Sequence, residues 1–451
     1  MIDENHKKMQ IPLSLSKVLK TEFENLILSQ DWFDILLQGN FYEFEKALHE
    51  LIYELYDKVS EGLITYISKS SAFENLQKLK AEEASLKKLE IRKASVQLRT
   101  GTKIRYDSLY GKEAPWDYVG SRHMSSIIWQ TDKHSSPMYK SINCLFSVLC
   151  PSFEVSKSLL KYQGIKVNYE KVRQLSLSLA DECMEERSSI QLEEGESLSG
   201  KRVVIAMDGG RTRTRVYEAG KIGRTEKFDT PWREPKMFVI STIDENGKLN
   251  KESKPIYDAT FGDDETFELL AAYLKNLEIE KAENVQFLAD GAPWIWNRVK
   301  PFLLNLGVAA DKIIESLDYY HAIEHVNDMK VYFDKDKQAS HFEKLKDALW
   351  QGDFSAMTQV IQQGISGVDL EEFNPYKYFK KNQYRIDYQS FRDDNRPCGS
   401  GIIESGIRRI INLRFKSPSS FWYPENVEKL IFMRGVALSG RWEIMMDNKF
   451  N

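Results

Sequence analysis

The sequence predicts an α/β fold built around a buried strand that ends in an aspartate. Residues 201–210 read KRVVIAMDGG, with five apolar residues between a charged start and two glycines. Such a run is typical of a strand buried on both faces, and it places Asp208 at the strand's end. A second run, VQFLA at 285–289, leads to Asp290 and Gly291 in the same way. From residue 201 onward, apolar runs alternate with helical spacing, which is the pattern of an α/β unit.

Composition sets the broad class. The length of 451 residues predicts two to four structural units. The contents of 29 % charged and 42 % hydrophobic residues are ordinary for a globular protein. The net charge of −4 does not exclude DNA binding, which needs only a basic face. Four cysteines without CxxC spacing predict free thiols in a reducing compartment. No apolar run approaches the roughly 20 residues that span a bilayer, so we expect a cytoplasmic protein with no membrane partner.

The first 92 residues predict a helical region. Apolar residues recur at three- and four-residue intervals, and we interpret these helices as packing on each other or on a second subunit. Residues 93–187 predict a β-hairpin and a helix-turn-helix DNA-binding region. The hairpin turns at Thr100–Gly101, and its polar face carries basic residues such as Lys103. This basic face could contact a phosphate backbone or simply be exposed to solvent, and the sequence favours neither alternative.

Two helices with a glycine turn between them are predicted from residue 150 to residue 186. Gly164 interrupts the first helical pattern, and Asn168 caps the second helix. In a helix-turn-helix motif the second helix enters the major groove. The residues expected to contact DNA are Asn168, Tyr169, Lys171, Arg173 and Gln174. Any pair of adjoining helices shows this pattern, so the interpretation depends on the domain that follows. Residues 188–200 are polar and acidic and predict a linker.

Residues 201–321 and 399–451 predict a catalytic core. After the Asp208 strand, the predicted elements are strands at 236–243 and 254–260, a helix at 264–277, the Asp290 strand, a helix from Pro293 to Gly307, and a strand at 312–317. This order is that of the ribonuclease-H-like fold, whose first and fourth strands are neighbours. Asp208 and Asp290 should therefore meet at one edge of the sheet. Residues 322–398 predict an inserted helical subdomain.

A third acid, Glu404, lies near the start of a predicted helix at 402–415. Two Mg²⁺ ions about 3.5–4 Å apart can activate a nucleophile and stabilise a leaving oxygen, and Mg²⁺ needs only a few carboxylates. We expect Asp208, Asp290 and Glu404 to be metal-binding catalytic residues for two Mg²⁺, with Mn²⁺ as a substitute. Two structural alternatives remain open at this stage: Asp290 as a turn or capping residue, and Glu404 paired with Arg408 at i,i+4.

Basic and aromatic residues near these acids are candidates for DNA contact. Three arginines alternate along what reads as a continuation of the first strand, and we expect them to bind phosphate: Arg211, Arg213 and Arg215. Four more basic residues follow Glu404 and are expected to line the DNA path: Arg408, Arg409, Arg414 and Lys416. Trp294 could stack on an unpaired base, or it could belong to the core.

Several stretches resemble the DDE transposases of bacterial insertion sequences. They are MDGGRTRTR, TPWREPKMFVI, FLADGAPWIWNRV, LDYYHAIEHV and GSGIIESGIRRIINLRFK. The resemblance is to the ISKra type and, more distantly, to mutator-like transposases, and it runs with gaps from Gly101 to about Trp442. It implies a ribonuclease-H-like core with a helical insertion, with Asp208, Asp290 and Glu404 at the acid positions. It also implies a role for His321, the last residue of a D-x-x-H element, in orienting a phosphate or the nucleophile, although His321 could simply fix the strand end.

The sequence therefore predicts a transposase that binds terminal inverted repeats, cleaves DNA strands and joins 3′-hydroxyl ends to target DNA. We expect double-stranded DNA as its partner, a homodimer or larger assembly on that DNA, and a place at the bacterial nucleoid. Two alternatives remain: a ribonuclease-H-like nuclease or resolvase without strand joining, and a catalytically silent domesticated DNA-binding protein. If Glu404 is not the third acid, the insertion offers Glu371 or Glu372.

Overall fold

The computed structural model describes residues 13–28, 32–112, 122–132, 134–217, 227–365, 367–417 and 420–450. The chain divides into two compact units, residues 1–179 with Phe450 and residues 180–449. The elements that begin in the first unit are α1 (Leu13–Leu28), α2 (Trp32–Leu37), α3 (Phe41–Ser68), α4 (Ser71–Glu83), β1 (Lys87–Gln97), β2 (Lys103–Lys112), β3 (Arg122–His123), α5 (Met124–Ile128), α6 (Pro137–Leu149), α7 (Phe153–Tyr162) and α8 (Tyr169–Met184).

The predicted β-hairpin is confirmed as the antiparallel pair β1–β2, in which Val96 lies opposite Ile104. The hairpin begins at Lys87, so the helical region ends earlier than residue 92. Helix α4 stops because Ser85, two residues past its end, adopts a left-handed φ of 53° that helix geometry does not allow. The alternation of the sequence then lets β1 pair along the whole length of β2, as far as Lys112.

The predicted pair of helices is also present, as α7 and α8. Gly164 has a φ of 73°, the left-handed conformation expected of a glycine just after a helix. The Asn168 side chain accepts a hydrogen bond from the backbone N–H of Lys171 at 2.8 Å, which caps the start of α8. Leu160 and Val172 are fully buried, one from each helix. The geometry of a helix, a turn and a second helix is therefore as the sequence predicts.

The second unit is a mixed α/β structure. Its strands are β4 (Arg202–Gly209), β5 (Thr212–Arg213), β6 (Val216–Tyr217), β7 (Phe228–Asp229), β8 (Trp232–Arg233), β9 (Pro235–Ile243), β10 (Ile256–Phe261), β11 (Asn284–Ala289) and β12 (Ile313–Leu317). Its helices are α9 (Asp263–Asn276), α10 (Pro293–Trp296), α11 (Val299–Asn305), α12 (Tyr319–Asp328), α13 (Gln338–Trp350), α14 (Phe354–Gly364), α15 (Asn374–Asn382), α16 (Tyr388–Asp393), α17 (Gly401–Gly406), α18 (Leu413–Phe415), α19 (Pro424–Leu438) and α20 (Trp442–Phe450).

A five-stranded sheet forms the centre of this unit, in the order β10-β9-β4-β11-β12. β9 pairs with β4 and with β10 in antiparallel fashion, whereas β11 runs parallel to both β4 and β12. The apolar residues of β4 are fully buried, as their continuous run predicted. The expected pairing of the first strand with the fourth is confirmed, since β4 and β11 are neighbours.

Two elements differ from the sequence-based expectation. The helix predicted from Pro293 to Gly307 is broken into α10 and α11, because Pro301 has no N–H to bond to the carbonyl of Asn297. Strand β4 is interrupted before the arginine-rich stretch, although the antiparallel register of β4 with β9 is kept by the next pair of strands. It ends at Gly209, and the next residues form the separate two-residue strand β5, which pairs with β8.

The described residues between 322 and 398 form a set of helices, as predicted, with a core around Leu345, Leu349 and Phe379. The chain leaves the sheet and returns to it at one place, because the Tyr319 N–H donates to the Cys398 carbonyl at 3.0 Å. Among the helices of the described ranges, none combines the length and the apolar character needed to cross a bilayer.

The helix that carries Glu404 contains a π-helical segment, Ile407–Asn412, between α17 and α18. The apolar spacing of this helix predicts that its isoleucines and Leu413 face inward; Ile407, Ile410 and Ile411 are buried, but Leu413 is 56 % exposed. The wider π turn rotates the residues that follow it relative to an uninterrupted α-helix, which accounts for this difference.

Candidate active site

Three neighbouring parallel strands of the sheet each end in an aspartate. Met207 lies opposite Ala289, and Ala289 lies opposite Leu317. The next residues in the three strands are Asp208, Asp290 and Asp318, so the register places them in one row along the carboxyl edge. The sequence-based expectation that Asp208 and Asp290 lie on neighbouring strands at one edge is confirmed. Asp318 extends the row to a third strand.

Asp208 is half-buried and surrounded by other acids. Its Oδ1 accepts a hydrogen bond from the Gly209 N–H at 2.6 Å. Burial, together with the charges of Asp290 and Glu234, raises the pKa of Asp208 to about 6, although the Gly209 hydrogen bond and the positive charge of His321 act in the opposite direction. A carboxylate that is crowded in this way gains by binding a cation.

Asp290 begins a tight loop. Its Oδ1 accepts the Ala292 N–H at 3.0 Å, and its backbone carbonyl accepts a hydrogen bond from the buried Trp296 indole. The ring of Tyr378, from α15 of the insertion, packs directly on Gly291, where a Cβ would lie 2.2 Å from the ring. A glycine is needed at this position because a side chain and the Tyr378 ring could not occupy the same space.

Asp318 is fully buried and makes three hydrogen bonds. Its Oδ1 accepts the Ser400 N–H at 2.6 Å, and its Oδ2 accepts both the His321 N–H at 2.9 Å and His321 Nδ1 at 2.6 Å. Burial alone would raise the pKa of Asp318, but these hydrogen bonds outweigh it and the pKa lies below its usual value. The hydrogen bond to Asp318 raises the pKa of His321 to about 9, with support from the charges of Asp208 and Asp290. His321 is therefore a cation at neutral pH.

Glu404 projects from α17 beside this pair. Its Oε1 accepts a hydrogen bond from the Ser400 hydroxyl at 3.2 Å, and it is exposed to solvent. Ligand atoms of Asp318, His321 and Glu404 all lie within 4.8 Å of one another. Because Ser400 contacts both Asp318 and Glu404, the loop before α17 connects the third acid to the end of β12.

The side chains at this edge fit a hard divalent cation. Carboxylate oxygens are the ligands that Mg²⁺ prefers, and a bound cation would offset the burial and the repulsion by neighbouring acids that raise the pKa of Asp208. His321 fits the role of a ligand less well, since its Nδ1 is engaged by Asp318 and the ring is protonated at neutral pH. A charged imidazolium suits the binding of a phosphate oxygen better.

The three arginines after β4 alternate with the fully buried Thr212 and Thr214, so they lie on one face of an extended segment. Arg211 is exposed just beyond the glycines, whereas the Arg213 guanidinium lies 5.0 Å from the centre of the Trp232 ring. Arg215 donates to the Phe421 carbonyl at 2.9 and 3.1 Å, so its guanidinium already makes contacts within the protein. Phosphate binding by these arginines stays a prediction.

The basic residues after Glu404 also divide into two groups. Arg408, Arg409 and Lys416 are exposed. Arg414 is only 2 % exposed and lies over the Trp422 ring at 5.0 Å, so the expectation that it lines a DNA path is wrong. The π segment changes the side of the helix on which Arg414 emerges, which the sequence pattern did not reveal.

Trp294 is half-buried and packs edge-on against Phe267. Lys236 Nζ lies 4.6 Å from the centre of its ring. These contacts support the core-packing alternative for Trp294. In the first unit, two of the predicted DNA-reading residues, Arg173 and Gln174, both donate to the carboxylate of Glu170 on their own helix.

Three residues of the site were not identified from sequence as site residues. Asp318 appeared only as part of the D-x-x-H element, although it follows a predicted strand just as the other two aspartates do. Glu234 and Tyr378 carry no sequence signal, because each reaches the site through tertiary structure.

Comparisons with known proteins give little further information. No family model matches the chain, and no curated protein matches it. One similar solved structure is the Drosophila P element transposase strand transfer complex, with a TM-score of 0.29 and 13 % identity over 70 % of this chain and 82 % of that chain. A likeness this remote does not establish a shared fold, so the proposals that follow rest on the residues of this chain.

Proposed function

We propose that this protein is a DDE-type DNA transposase with a ribonuclease-H-like core. The observation that carries the proposal is the row of Asp208, Asp290 and Asp318 on three parallel strands, with Glu404 and the cationic His321 beside it. The strand order, with the first strand between the second and the fourth, supports the assignment of the core. No Ser-His or Cys-His arrangement was identified in the sequence that would suggest covalent catalysis through a side chain.

In this proposal Asp208, Asp290 and Glu404 would hold two Mg²⁺ ions, which Mn²⁺ could replace. The chemistry supplied there would be activation of a water or 3′-hydroxyl and neutralisation of the charge on the leaving oxygen of a phosphodiester. Asp318 is too deeply buried and too fully hydrogen-bonded to be a primary ligand. It holds His321 in its charged form and fixes the ring, so that His321 can donate to a phosphate oxygen.

The proposed substrate is double-stranded DNA, at the transposon ends and at the target. Exposed basic residues on both sides of the acids are suited to its backbone: Arg211, Arg408, Arg409 and Lys416. The helix pair α7–α8 would bind the terminal inverted repeats. Bringing two ends together requires at least two subunits, and we assign that contact to the N-terminal helices.

The test is Mg²⁺-dependent cleavage of labelled DNA that carries the terminal repeats flanking the gene. Asp208→Ala, Asp290→Ala and Glu404→Ala should each abolish cleavage and leave DNA binding intact. Glu268→Ala, which removes an exposed acid of α9 away from the row, should cleave like the wild type. Normal cleavage by Glu404→Ala would show that the third acid lies elsewhere.

A strand-joining assay with precut ends separates the remaining alternatives. Joining identifies a transposase, whereas cleavage without joining identifies a nuclease or resolvase. A wild-type protein that binds the ends but neither cuts nor joins them with Mg²⁺ or Mn²⁺ would be a DNA-binding protein without catalytic activity.

A further inference from the structure

An open cavity of about 460 Å³ lies in the first unit, between the turn of the hairpin and the start of α8. Three lysines line it, Lys103 from β2, Lys166 from the segment between α7 and α8, and Lys171 from the first turn of α8, together with His134. No aspartate or glutamate belongs to its described lining. The cavity therefore concentrates positive charge from two motifs that are far apart in sequence.

The two motifs are held against each other by close backbone contacts. The Lys166 N–H donates to the Thr100 carbonyl at 2.8 Å, and the Tyr139 hydroxyl donates to the Lys166 carbonyl at 2.9 Å. Gly101 has a φ of 82°, and a Cβ there would lie 2.1 Å from the Lys166 carbonyl oxygen. The glycine thus allows the hairpin turn to touch the chain that leads into α8.

The hairpin turn is also fixed to helix α3. The hydroxyls of Thr100 and Thr102 donate to the two carboxylate oxygens of Asp57, at 2.5 and 2.6 Å. These two hydrogen bonds fix the turn of the hairpin on α3. The result is a preorganised basic cavity, which loses little conformational entropy on binding a ligand.

The start of a helix adds to the charge of this cavity. α8 is 16 residues long, and the positive end of its dipole lies where Asn168 and Lys171 line the wall. Helix N-termini with nearby lysines are suited to phosphate. Two independent features, the lysine cluster and the helix start, therefore favour the same kind of ligand.

We infer that this cavity binds a backbone phosphate of double-stranded DNA, so that the hairpin and the helix pair hold the same duplex. The inference rests on the proposed function for its DNA partner, and it adds the hairpin and Lys166 to the DNA-binding surface. Such a contact fixes the position of α8 on DNA without reading sequence. It would also couple the hairpin to the placement of the second helix in the major groove.

The test measures affinity for an unrelated 30-base-pair duplex by fluorescence anisotropy, in EDTA and between 50 and 200 mM NaCl. Lys103→Gln and Lys166→Gln are compared with the wild type. Lys112→Gln, at the far end of the same hairpin, is the control with the same change in charge. EDTA prevents metal-dependent cleavage, so this result does not depend on whether the protein is a nuclease or a transposase.

Each phosphate contact contributes about 0.9 to the slope of the logarithm of the association constant against the logarithm of the salt concentration. Loss of one contact therefore lowers the affinity about eightfold at 0.1 M salt. We expect Lys103→Gln and Lys166→Gln each to lose about this much, with Lys112→Gln unchanged and all three variants unfolding at the wild-type urea midpoint. Equal affinity of all variants at every salt concentration would overturn the inference. Binding of inorganic phosphate by the wild type, with unchanged DNA affinity in the variants, would also overturn it and identify a site for free anions.

Discussion

Replacing Asp208 with asparagine should stabilise the metal-free protein while abolishing its proposed activity. The folded protein raises the pKa of this carboxyl from its ordinary value of 3.8 to about 6, chiefly by burial. A difference of about 2 pKa units corresponds to about 3 kcal/mol between the two protonation states. The charged carboxylate therefore destabilises the folded state, and an uncharged side chain of the same shape removes that penalty.

The sign and the pH range follow from the two pKa values. Below pH 3.8 the carboxyl is protonated in both states, so asparagine brings no gain. The gain grows between pH 3.8 and about 6 and is complete above that range. Urea unfolding in EDTA should show Asp208→Asn more stable than the wild type by up to about 3 kcal/mol at pH 8, with a much smaller gain at pH 4.5.

Asp318→Asn is the matched control, because Asp318 follows β12, two strands from β4, at the same level of the sheet but has a lowered pKa. Its replacement removes the charge-assisted hydrogen bond to His321, which is the main cause of the raised pKa of that imidazole. Asp318→Asn should destabilise the protein at pH 8. Breaking a fully buried ion pair costs roughly 3–5 kcal/mol, and we expect about 3 kcal/mol or less here, because 33 % of the His321 side chain is exposed and solvent screens the pair. A loss of stability in Asp208→Asn, or a gain that is equal at both pH values, would refute the electrostatic reasoning.

Two glycine substitutions test close contacts. Gly291→Ala should lower the free energy of unfolding by about 1–3 kcal/mol and reduce cleavage more than DNA binding, because the added methyl group displaces the Tyr378 ring beside Asp290. Cleavage at the wild-type rate would contradict this prediction. Gly101→Ala should lower the urea midpoint and the DNA affinity together, since it combines a left-handed φ with a clash against the Lys166 carbonyl. Gly195, with a φ of 74° and no atom within 4 Å of an added Cβ, is the control position. Gly195→Ala should therefore lose only the cost of the left-handed backbone, about 1–2 kcal/mol. An equal loss of stability in Gly101→Ala and Gly195→Ala would contradict the clash with Lys166.

Local patterns were sufficient to predict the elements of the sheet. Continuous apolar runs identified β4 and β11, since strands buried on both faces leave that pattern, and each run ended at an acid. The parallel pairing of β4 with β11 followed from the order of the elements. Strand β12, IIESL, is not a continuous apolar run, but it was also predicted to end just before an acid, Asp318.

The errors arose where tertiary contacts override local patterns. The alternating arginines after Gly210 predicted an uninterrupted continuation of β4, but the strand breaks at Gly210 and resumes as β5, which pairs with β8 through Thr212 and Arg213. The π segment after Glu404 shifted the helix by part of a turn, which buried Arg414 and exposed Leu413. Neither effect is encoded in the spacing of apolar residues alone.

The position of Glu404 in the chain has a consequence for synthesis. It follows Asp208 by 196 residues, and the entire helical insertion is translated between Asp318 and Glu404. At the usual rates of about 5–20 residues per second, roughly 10–40 seconds pass between the emergence of the first acid and the last. A nascent chain therefore carries all three strand-end aspartates while it still lacks the glutamate. The proposed site is therefore incomplete on the ribosome until the segment that carries Glu404 has been synthesised.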